Sequence, residues 1–457
     1  MKFFVLFLLF YILSSIGYAQ VPEQTHPTVQ EIVDEISEDN IRRIVERLVA
    51  FHTRHTLSDT TDLEIGIGAA RRWIKREFED YSRDSGGRLK VEYHRFIAEP
   101  QPRIPEPTEI VNVVATLPGK LQGDDDRVYV ISGHYDSRVS DIMDAESFAP
   151  GANDDASGTA VVMELARVMS NYEFDATIVF MAVAGEEQGL VGARQWAADA
   201  YRDEMNIEGM ITNDIVGNIF GGNDVVDNTR VRVFSEGVNP NATYEELRRI
   251  VATGSENDSP SRQLARYVEE VGPLYTTNFD VVMIYRRDRY LRGGDHIPFN
   301  ELGYPAVRFT EMHENYNWQH QDVRFEEGIQ YGDLPEFVDY EYTTNVARVN
   351  GAVLASLSLA PPPPTGVGID ISRLEHDTTL LWDHSGLGDL KGFYICIRET
   401  TAPQWQRKIF VNVQDVQSEE GYTYIQKGKS KDNYIFGIQA VGKNGLNSVT
   451  VFPAPVR

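Results

Sequence analysis

The sequence predicts an α/β protein: an α/β/α sandwich with a mostly parallel mixed sheet, followed by a small all-β sandwich. First, strand-like apolar runs alternate with amphipathic helical stretches over most of the chain. Second, four prolines at 361–364 are followed only by short strand-like runs. Third, several predicted strands end in histidine or carboxylate side chains. Since the carboxyl ends of parallel strands meet at one sheet edge, we expect these polar residues to share one pocket.

The composition is that of a globular protein with more than one domain. The chain has 457 residues, 42% hydrophobic and 25% charged, which is enough for a full core. The formal net charge of −26 disfavours nucleic acid and anionic membrane as partners, because phosphate binding needs a positive field. The single cysteine, Cys396, excludes an intramolecular disulfide. Stability must therefore come from the core and from any bound metal.

The first residues have the pattern of a secretory signal peptide. Lys2 precedes an apolar run at 3–12, and the small residues Gly17 and Ala19 suit signal peptidase. The apolar run is too short to span a bilayer comfortably. We predict a signal peptide at 1–19, cleavage after Ala19, and a secreted or periplasmic protein without a membrane span after cleavage. The alternative is an uncleaved anchor.

The predicted elements of the domain at 20–360 follow from the spacing of its apolar residues. Apolar positions three and four apart indicate helices, whereas alternation and β-branched runs indicate strands. The predicted helices are 28–51, 58–81, 158–172, 189–201, 261–271 and 343–358, and the strand-like segments are 89–96, 109–117, 128–137, 177–189 and 303–310. Between 223 and 289 the pattern is less regular, and 261–271 is the one helix predicted there.

The prolines at 361–364 predict an extended, semi-rigid linker to a domain at 365–457. The short runs that predict its strands are 378–382, 392–399, 408–413, 422–426 and 433–441, and Trp382 and Tyr434 are placed to fill a core. Segments such as Leu-Leu-Trp-Asp and Tyr-Ile-Phe-Gly-Ile-Gln-Ala-Val resemble those of fibronectin type III modules. The resemblance implies a spacing or adhesive module, a candidate for contact with a cell surface or a polysaccharide.

Candidate metal ligands stand at the predicted strand ends, on either side of the Gly-Ala-Asn-Asp-Asp-Ala-Ser-Gly stretch at 151–158. They are His134, Asp154, Glu187, Asp214 and His320. Zinc takes imidazole nitrogen and carboxylate oxygen, and a catalytic site leaves a position for water. Asp154 is expected to bridge two ions, each completed by one histidine and one further carboxylate.

Three more carboxylates lie beside these ligands. Glu186 precedes a ligand but points elsewhere, as expected of a general base that takes a proton from the attacking water. Asp136 shares a strand face with His134 and is placed to orient its imidazole. Asp155 is expected to cap the helix that follows it.

In this order the motifs resemble those of the zinc aminopeptidases of metallopeptidase family 28. Members carry His-x-Asp, Gly-Ala-x-Asp-Asp-x-Ser-Gly, Glu-Glu-x-Gly, an aspartate at a strand end and a late histidine. Here these segments begin at His134, Gly151 and Glu186, followed by Asp214 and His320. The resemblance covers about 41–359 and includes Gly-Asp-His at 294–296, where the histidine would be structural.

The resemblance implies a di-zinc exopeptidase fold, peptide substrates and two Zn²⁺ per chain, with Glu186 as the base. One ion would be held by His134, Asp154 and Asp214, and the other by Asp154, Glu187 and His320. The last histidine departs from the family pattern, because Asp322 follows it more closely than in His-x-x-x-Asp. His313 is therefore the alternative ligand.

Each motif alone also has an ordinary interpretation. Glu186-Glu187 suits a solvated helix start, and His134 suits a core histidine; only their joint occurrence in order favours metal. The run at 286–292 is a surface charge cluster or, alternatively, a rim whose arginines contact a substrate carboxylate. Tyr290 within it is a candidate oxyanion donor.

These observations favour a secreted metallo-exopeptidase that hydrolyses the first peptide bond at a free amino terminus. One alternative is a di-zinc carboxypeptidase or dipeptidase that acts on a free carboxylate. A cyclase acting on N-terminal glutamine is less expected, because it would need only one zinc. The alternative from another class is a catalytically silent surface-binding protein.

Overall fold

The computed structural model describes residues 25–121, 125–222, 224–387 and 389–457. The predicted signal peptide at 1–19 lies outside these residues. Within the described ranges, no helix combines the length and the apolarity that crossing a bilayer would require.

The elements up to residue 359 alternate between helix and strand over much of this part. In chain order they are α1 (Pro27–Asp34), α2 (Glu38–Val49), α3 (Gly66–Asp84), β1 (Lys90–Ala98), β2 (Thr108–Leu117), β3 (Val128–His134), α4 (Ala156–Met169), β4 (Thr177–Val183), α5 (Val191–Arg202), β5 (Ile207–Asn213), β6 (Arg230–Ser235), α6 (Tyr244–Thr253), α7 (Pro260–Val271), β7 (Asp280–Ile284), α8 (Ile297–Glu301), β8 (Ala306–Glu311), β9 (Arg324–Glu326), β10 (Ile329–Tyr331) and α9 (Tyr340–Leu359).

Eight of these strands form one mixed sheet in the order β1-β2-β4-β3-β5-β8-β6-β7. The central strands β4, β3, β5 and β8 run parallel to one another, as do β6 and β7. The pairings β1 with β2, β2 with β4, and β6 with β8 are antiparallel. The predicted mixed, mostly parallel sheet is therefore confirmed.

Helices cover both faces of this sheet. Along β4, Ile178, Phe180 and Ala182 point into a core that also contains residues of α1, α2, α3, α4, α7 and α9. The alternate residues Val179 and Met181 point into a second core, with residues of α5 and α8. Because side chains alternate across a strand, one strand contributes to both cores. The structure is the predicted α/β/α sandwich.

Two helical regions differ from the sequence-based prediction. The helix predicted at 28–51 is two helices, because the Ser37 side chain accepts the Asn40 N–H and starts α2 afresh. Helix α6 was not predicted: it begins at a capping box formed by Thr243 and Glu246, and none of its residues is buried. Its apolar residues stand three and four apart, at Tyr244, Leu247, Ile250 and Val251, so both this spacing and the capping box were signals present in the sequence.

The remaining elements are nearly all strands. They are β11 (Thr365–Asp370), β12 (Thr378–Asp383), β13 (Leu390–Glu399), β14 (Arg407–Asn412), the short helix α10 (Val413–Val416), β15 (Gln417–Ser418), β16 (Gly421–Gln426), β17 (Tyr434–Gly442) and β18 (Ala454–Val456). They form a sheet β15-β16-β12-β11-β18 and a sheet β14-β13-β17, which share a core around Trp382 and Phe393. The predicted all-β part is confirmed, and its fibronectin type III identity stays a prediction.

Buried polar contacts join this β part, which we call the C-terminal module, to the α/β part. The carboxylate of Asp258, just before α7, lies 2.7 Å from Arg398 Nη2 of β13 through each of its oxygens. It also accepts from Arg266 Nη1 at 3.1 Å. The Arg127 guanidinium donates to the carbonyl of Ala360, directly before the prolines. Arg127 thus fixes the end of the α/β part where the prolines begin, and the Asp258–Arg398 pair joins the two parts directly.

Candidate metal centre

Strand β3 brings His134 to the carboxyl edge of the sheet and fixes it against the start of α4. The His134 N–H donates to Asp155 Oδ2 at 3.0 Å, and its carbonyl accepts from Thr159 Oγ1 at 2.9 Å. The backbones approach so closely that a Cβ on Gly133 would lie 2.5 Å from the carbonyl carbon of Gly158. Glycine is therefore required where the strand meets the helix.

The loop before α4 presents Asp154. Its N–H and that of Asn153 donate to the Asp333 carboxylate at 2.7 and 2.8 Å. The Asp155 side chain accepts the Gly158 N–H at 2.9 Å and caps α4, as expected from the sequence. The side chain of Asp154 is thereby free to face the pocket.

The five candidate ligands form two groups that share Asp154: His134 with Asp154 and Asp214, and Asp154 with Glu187 and His320. We call these the first and the second metal position. In the first, Nε2 of His134 lies 3.2 Å from Asp154 Oδ1 and 3.9 Å from Asp214 Oδ1. In the second, Nε2 of His320 lies 2.8 Å from Asp154 Oδ2 and 2.9 Å from Glu187 Oε1. His313 belongs to neither group within the described residues.

The chemistry of these atoms fits zinc. Nε2 of His134 and Oε1 of Glu187 are buried and lie near other ligand atoms, yet neither forms a hydrogen bond of acceptable geometry with the described residues. Buried polar atoms are normally paired, so two such atoms that point into the same cluster are available to bind a cation. Imidazole nitrogen and carboxylate oxygen are the donors that zinc takes.

Asp136 holds several parts of this centre together. Its carboxylate accepts the N–H groups of Glu187 at 3.1 Å and of Glu186 at 3.4 Å. Nδ1 of His134 lies 3.2 Å from its carbonyl oxygen and 3.5 Å from Oδ1. Asp136 is therefore placed beside the imidazole, where the sequence predicted it, and also positions the following pair of glutamates.

Contacts among the ligands of the first metal position shift the pKa values of His134 and Asp154. Burial favours the neutral form of His134, but Asp136, Asp154 and Asp214 raise its pKa well above the ordinary value. Burial would likewise raise the pKa of Asp154, yet His320 and His134 hold it well below its usual range. The shared Asp154 carboxylate is therefore ionised and paired with the two imidazoles, which must release their protons when they bind a cation.

Glu186 is in a different environment from its neighbour. Burial raises the pKa of Glu186 well above its ordinary value. The imidazole of His134 opposes this shift, while the carboxylates of Asp214 and Glu187 add to it. A carboxyl group with a raised pKa beside a metal site has the property that a general base needs near neutral pH.

The arginines at 286–292 are largely engaged with protein carboxylates. Glu314 pairs with Arg292 at 2.7 Å and with Arg289 at 3.3 Å, and Arg232 of β6 joins them at 3.1 Å. The Tyr290 side chain is 73% exposed. Their contact with a substrate stays a prediction. His296 is buried, with Nε2 2.7 Å from the carbonyl oxygen of Arg287, which suits a structural role.

Several residues around the ligands were missed by sequence reasoning. Arg308 Nη2 lies 2.8 Å from Asp214 Oδ1, and Arg138 contacts both Glu187 and His320. Arg138 follows the His-Tyr-Asp-Ser segment directly, so its position next to a motif was an available signal. Asp333 lies outside the motifs, and Arg308 lies in the predicted strand at 303–310, where nothing marks it as a partner of Asp214; only the fold brings them to the site.

Comparison with known proteins agrees with this geometry. Residues 112–337 match the model of peptidase family M28. A probable zinc metalloprotease of Leptosphaeria maculans is 45% identical over 439 residues, which cover 96% of this chain and 100% of that protein. Two solved structures from Legionella pneumophila share the fold. LapB has a TM-score of 0.52 and 18% identity, and the match covers 74% of this chain and 76% of that chain. The LapA aminopeptidase has a TM-score of 0.51 and 20% identity, and the match covers 72% of this chain and 74% of that chain. The chain therefore belongs to peptidase family M28.

Proposed function

We propose that this peptidase is a zinc aminopeptidase that binds two metal ions and uses Glu186 as its general base. The observation that carries the proposal is the convergence of two three-residue groups on the shared carboxylate of Asp154. Each group offers one imidazole nitrogen and carboxylate oxygens from two residues, the set expected for a catalytic pair of zinc ions.

The residues at the site would have distinct roles in the reaction. When bound, zinc ions supply Lewis-acid polarisation of the scissile carbonyl and of the attacking water. Glu186 takes the proton from that water and passes it to the leaving nitrogen, so that the peptide bond breaks to an amine and a carboxylate. Asp136 orients both Glu186 and His134 through the contacts described above.

Cleavage at the amino terminus is supported by the resemblance of the motifs to zinc aminopeptidases. Comparing free-amine peptides with their N-acetylated forms tests it, because an aminopeptidase should leave blocked substrates intact. Hydrolysis of blocked peptides from their free carboxyl end would instead identify a carboxypeptidase. The signal-peptide pattern at 1–19 supports the further proposal that the protein is secreted.

The roles of base and ligand are separated by two variants. Glu186→Gln should retain two zinc ions and lose nearly all turnover, since the amide cannot accept the proton. Asp154→Ala should lose metal as well as turnover, because both positions share that carboxylate. Zinc content by elemental analysis and hydrolysis of aminoacyl anilides measure the two effects. Normal hydrolysis by Glu186→Gln would refute the assigned base.

A further inference from the structure

We propose that Arg138 is a positioning residue that makes the second metal position the weaker and more exchangeable of the two. The inference rests on the proposed di-zinc function and concerns how the centre is loaded. Its basis is that one guanidinium contacts both ligands that belong to the second position alone, Glu187 and His320.

The contacts of Arg138 occupy specific atoms of these ligands. Its Nε donates to Glu187 Oε2 at 2.8 Å, which leaves the orphaned Oε1 for a cation. Its Nη2 lies 2.7 Å from Nδ1 of His320, and its Nη1 donates to the carbonyl of Val139 at 3.2 Å. Glu187 would therefore bind the second ion through one oxygen, with its other oxygen held by the arginine.

The two histidines have opposite surroundings at Nδ1. A histidine that binds a metal through Nε2 normally carries its proton on Nδ1 and donates it to an acceptor. His134 has such acceptors, the carbonyl and carboxylate oxygens of Asp136. Nδ1 of His320 instead faces Arg138, and a guanidinium only donates. A neutral His320 that binds a metal through Nε2 carries its proton on Nδ1. That proton would face the donor groups of Arg138, so Arg138 must give up this contact when the metal binds.

The charge balance also differs between the two positions. An arginine lies beside each: Arg308 contacts Asp214 at the first, and Arg138 contacts Glu187 at the second. Arg308 is further paired with Asp288 at 3.3 Å, whereas the one ion pair found for Arg138 within the described residues is with Glu187. The charge of Arg138 is therefore less neutralised than that of Arg308, so Arg138 repels an incoming divalent ion more strongly. Hydrogen-bond direction and charge thus both weaken the second position.

The test is equilibrium binding of Zn²⁺ to the metal-free full-length protein over a series of zinc buffers, with bound zinc measured by mass spectrometry. Arg138→Gln and Arg138→Met remove the cation, and we expect each to bind the second ion about tenfold tighter or more, within the range that outer partners exert on metal affinity. Arg138→Lys keeps the charge and should stay close to the wild type. The first ion should bind equally in all of them.

Arg103→Gln is the matched control, because Arg103 Nη1 donates to the backbone carbonyl of Glu187 and not to its carboxylate. It should leave both affinities unchanged. Circular dichroism of each metal-free variant verifies folding. Equal or weaker binding of the second ion by both Arg138→Gln and Arg138→Met would overturn the inference while leaving the di-zinc function standing. A wild-type protein that binds fewer than two ions would refute the di-zinc function itself.

Discussion

Replacement of Asp136 tests how far the metal centre depends on a residue that is not a ligand. The Asp136 side chain is fully buried, and it accepts from the Glu187 N–H and from Thr56 Oγ1, each at 3.1 Å. Asp136→Ala leaves these two donors without an acceptor inside the protein and also removes the longer contact of 3.4 Å to the Glu186 N–H. Each orphaned donor costs about 1–3 kcal/mol, so we expect the metal-free protein to lose about 2–6 kcal/mol of unfolding free energy.

The same change should weaken zinc binding. Without the Asp136 carboxylate, the imidazole of His134 loses one of the two acceptors beside Nδ1, and such a loss typically lowers metal affinity about 10–100-fold. Asp136→Asn keeps the shape and one acceptor oxygen, so its effect should be intermediate. The first metal position should suffer more than the second, because His134 belongs only to the first.

Urea unfolding of the metal-free protein and equilibrium zinc binding measure the two effects. Asp141→Asn is the control, since the exposed side chain of Asp141 accepts one N–H from the described residues, that of Met143 at 2.9 Å. It should change neither quantity appreciably. If Asp136→Ala unfolds within about 1 kcal/mol of the wild type and keeps its zinc affinity, the positioning role assigned to Asp136 is wrong.

Three further predictions concern other parts of the molecule. Asp258→Asn should destabilise the protein by about 3–5 kcal/mol, because Arg266 and Arg398 keep their buried charges without a counter-ion; Asp377→Asn, at an exposed ion pair, should show little change in the same urea titration. Burial raises the pKa of Glu236 to about 7, so its folded pKa exceeds the unfolded value and ionisation of Glu236 costs stability. Glu236→Gln should therefore match the wild type below about pH 4 and become the more stable protein as the pH rises through 7. Unfolding measured over this pH range checks the trend, and a constant difference between the two proteins would contradict it. Chelation of zinc should abolish hydrolysis and lower the calorimetric transition temperature, because an ion that binds only the folded protein stabilises it. Added Zn²⁺ should restore both, and an unchanged transition would speak against a bound metal.

Much of the α/β architecture follows from patterns confined to single elements. The strands that lead into His134 and Glu186 were predictable because buried parallel strands are continuous apolar runs. Their polar ends then indicated a common sheet edge. His134, Glu187 and Asp214 could be named for the same reason, since they stand at or just after the ends of β3, β4 and β5, whereas Asp154 and His320 were named from the motif order.

What escaped prediction depends on contacts between distant segments. Asp333 lies 179 positions from Asp154, whose N–H it accepts, and Arg308 lies 94 positions from Asp214. A lone carboxylate or arginine has no local pattern that marks such a partner. Helix α6 is the exception, because its capping box and its apolar spacing are local signals that the prediction overlooked.

The ion pairs around Asp258 limit how the C-terminal module can move. Swinging the module about the prolines would separate Arg398 from Asp258 and expose two guanidinium groups that are now enclosed. A ligand captured by the module would consequently be presented to the zinc-binding pocket from one constant direction. Truncation after residue 364 would also strip Asp258 of a counter-charge, so the shortened protein would differ from the intact one in stability as well as in lacking the module.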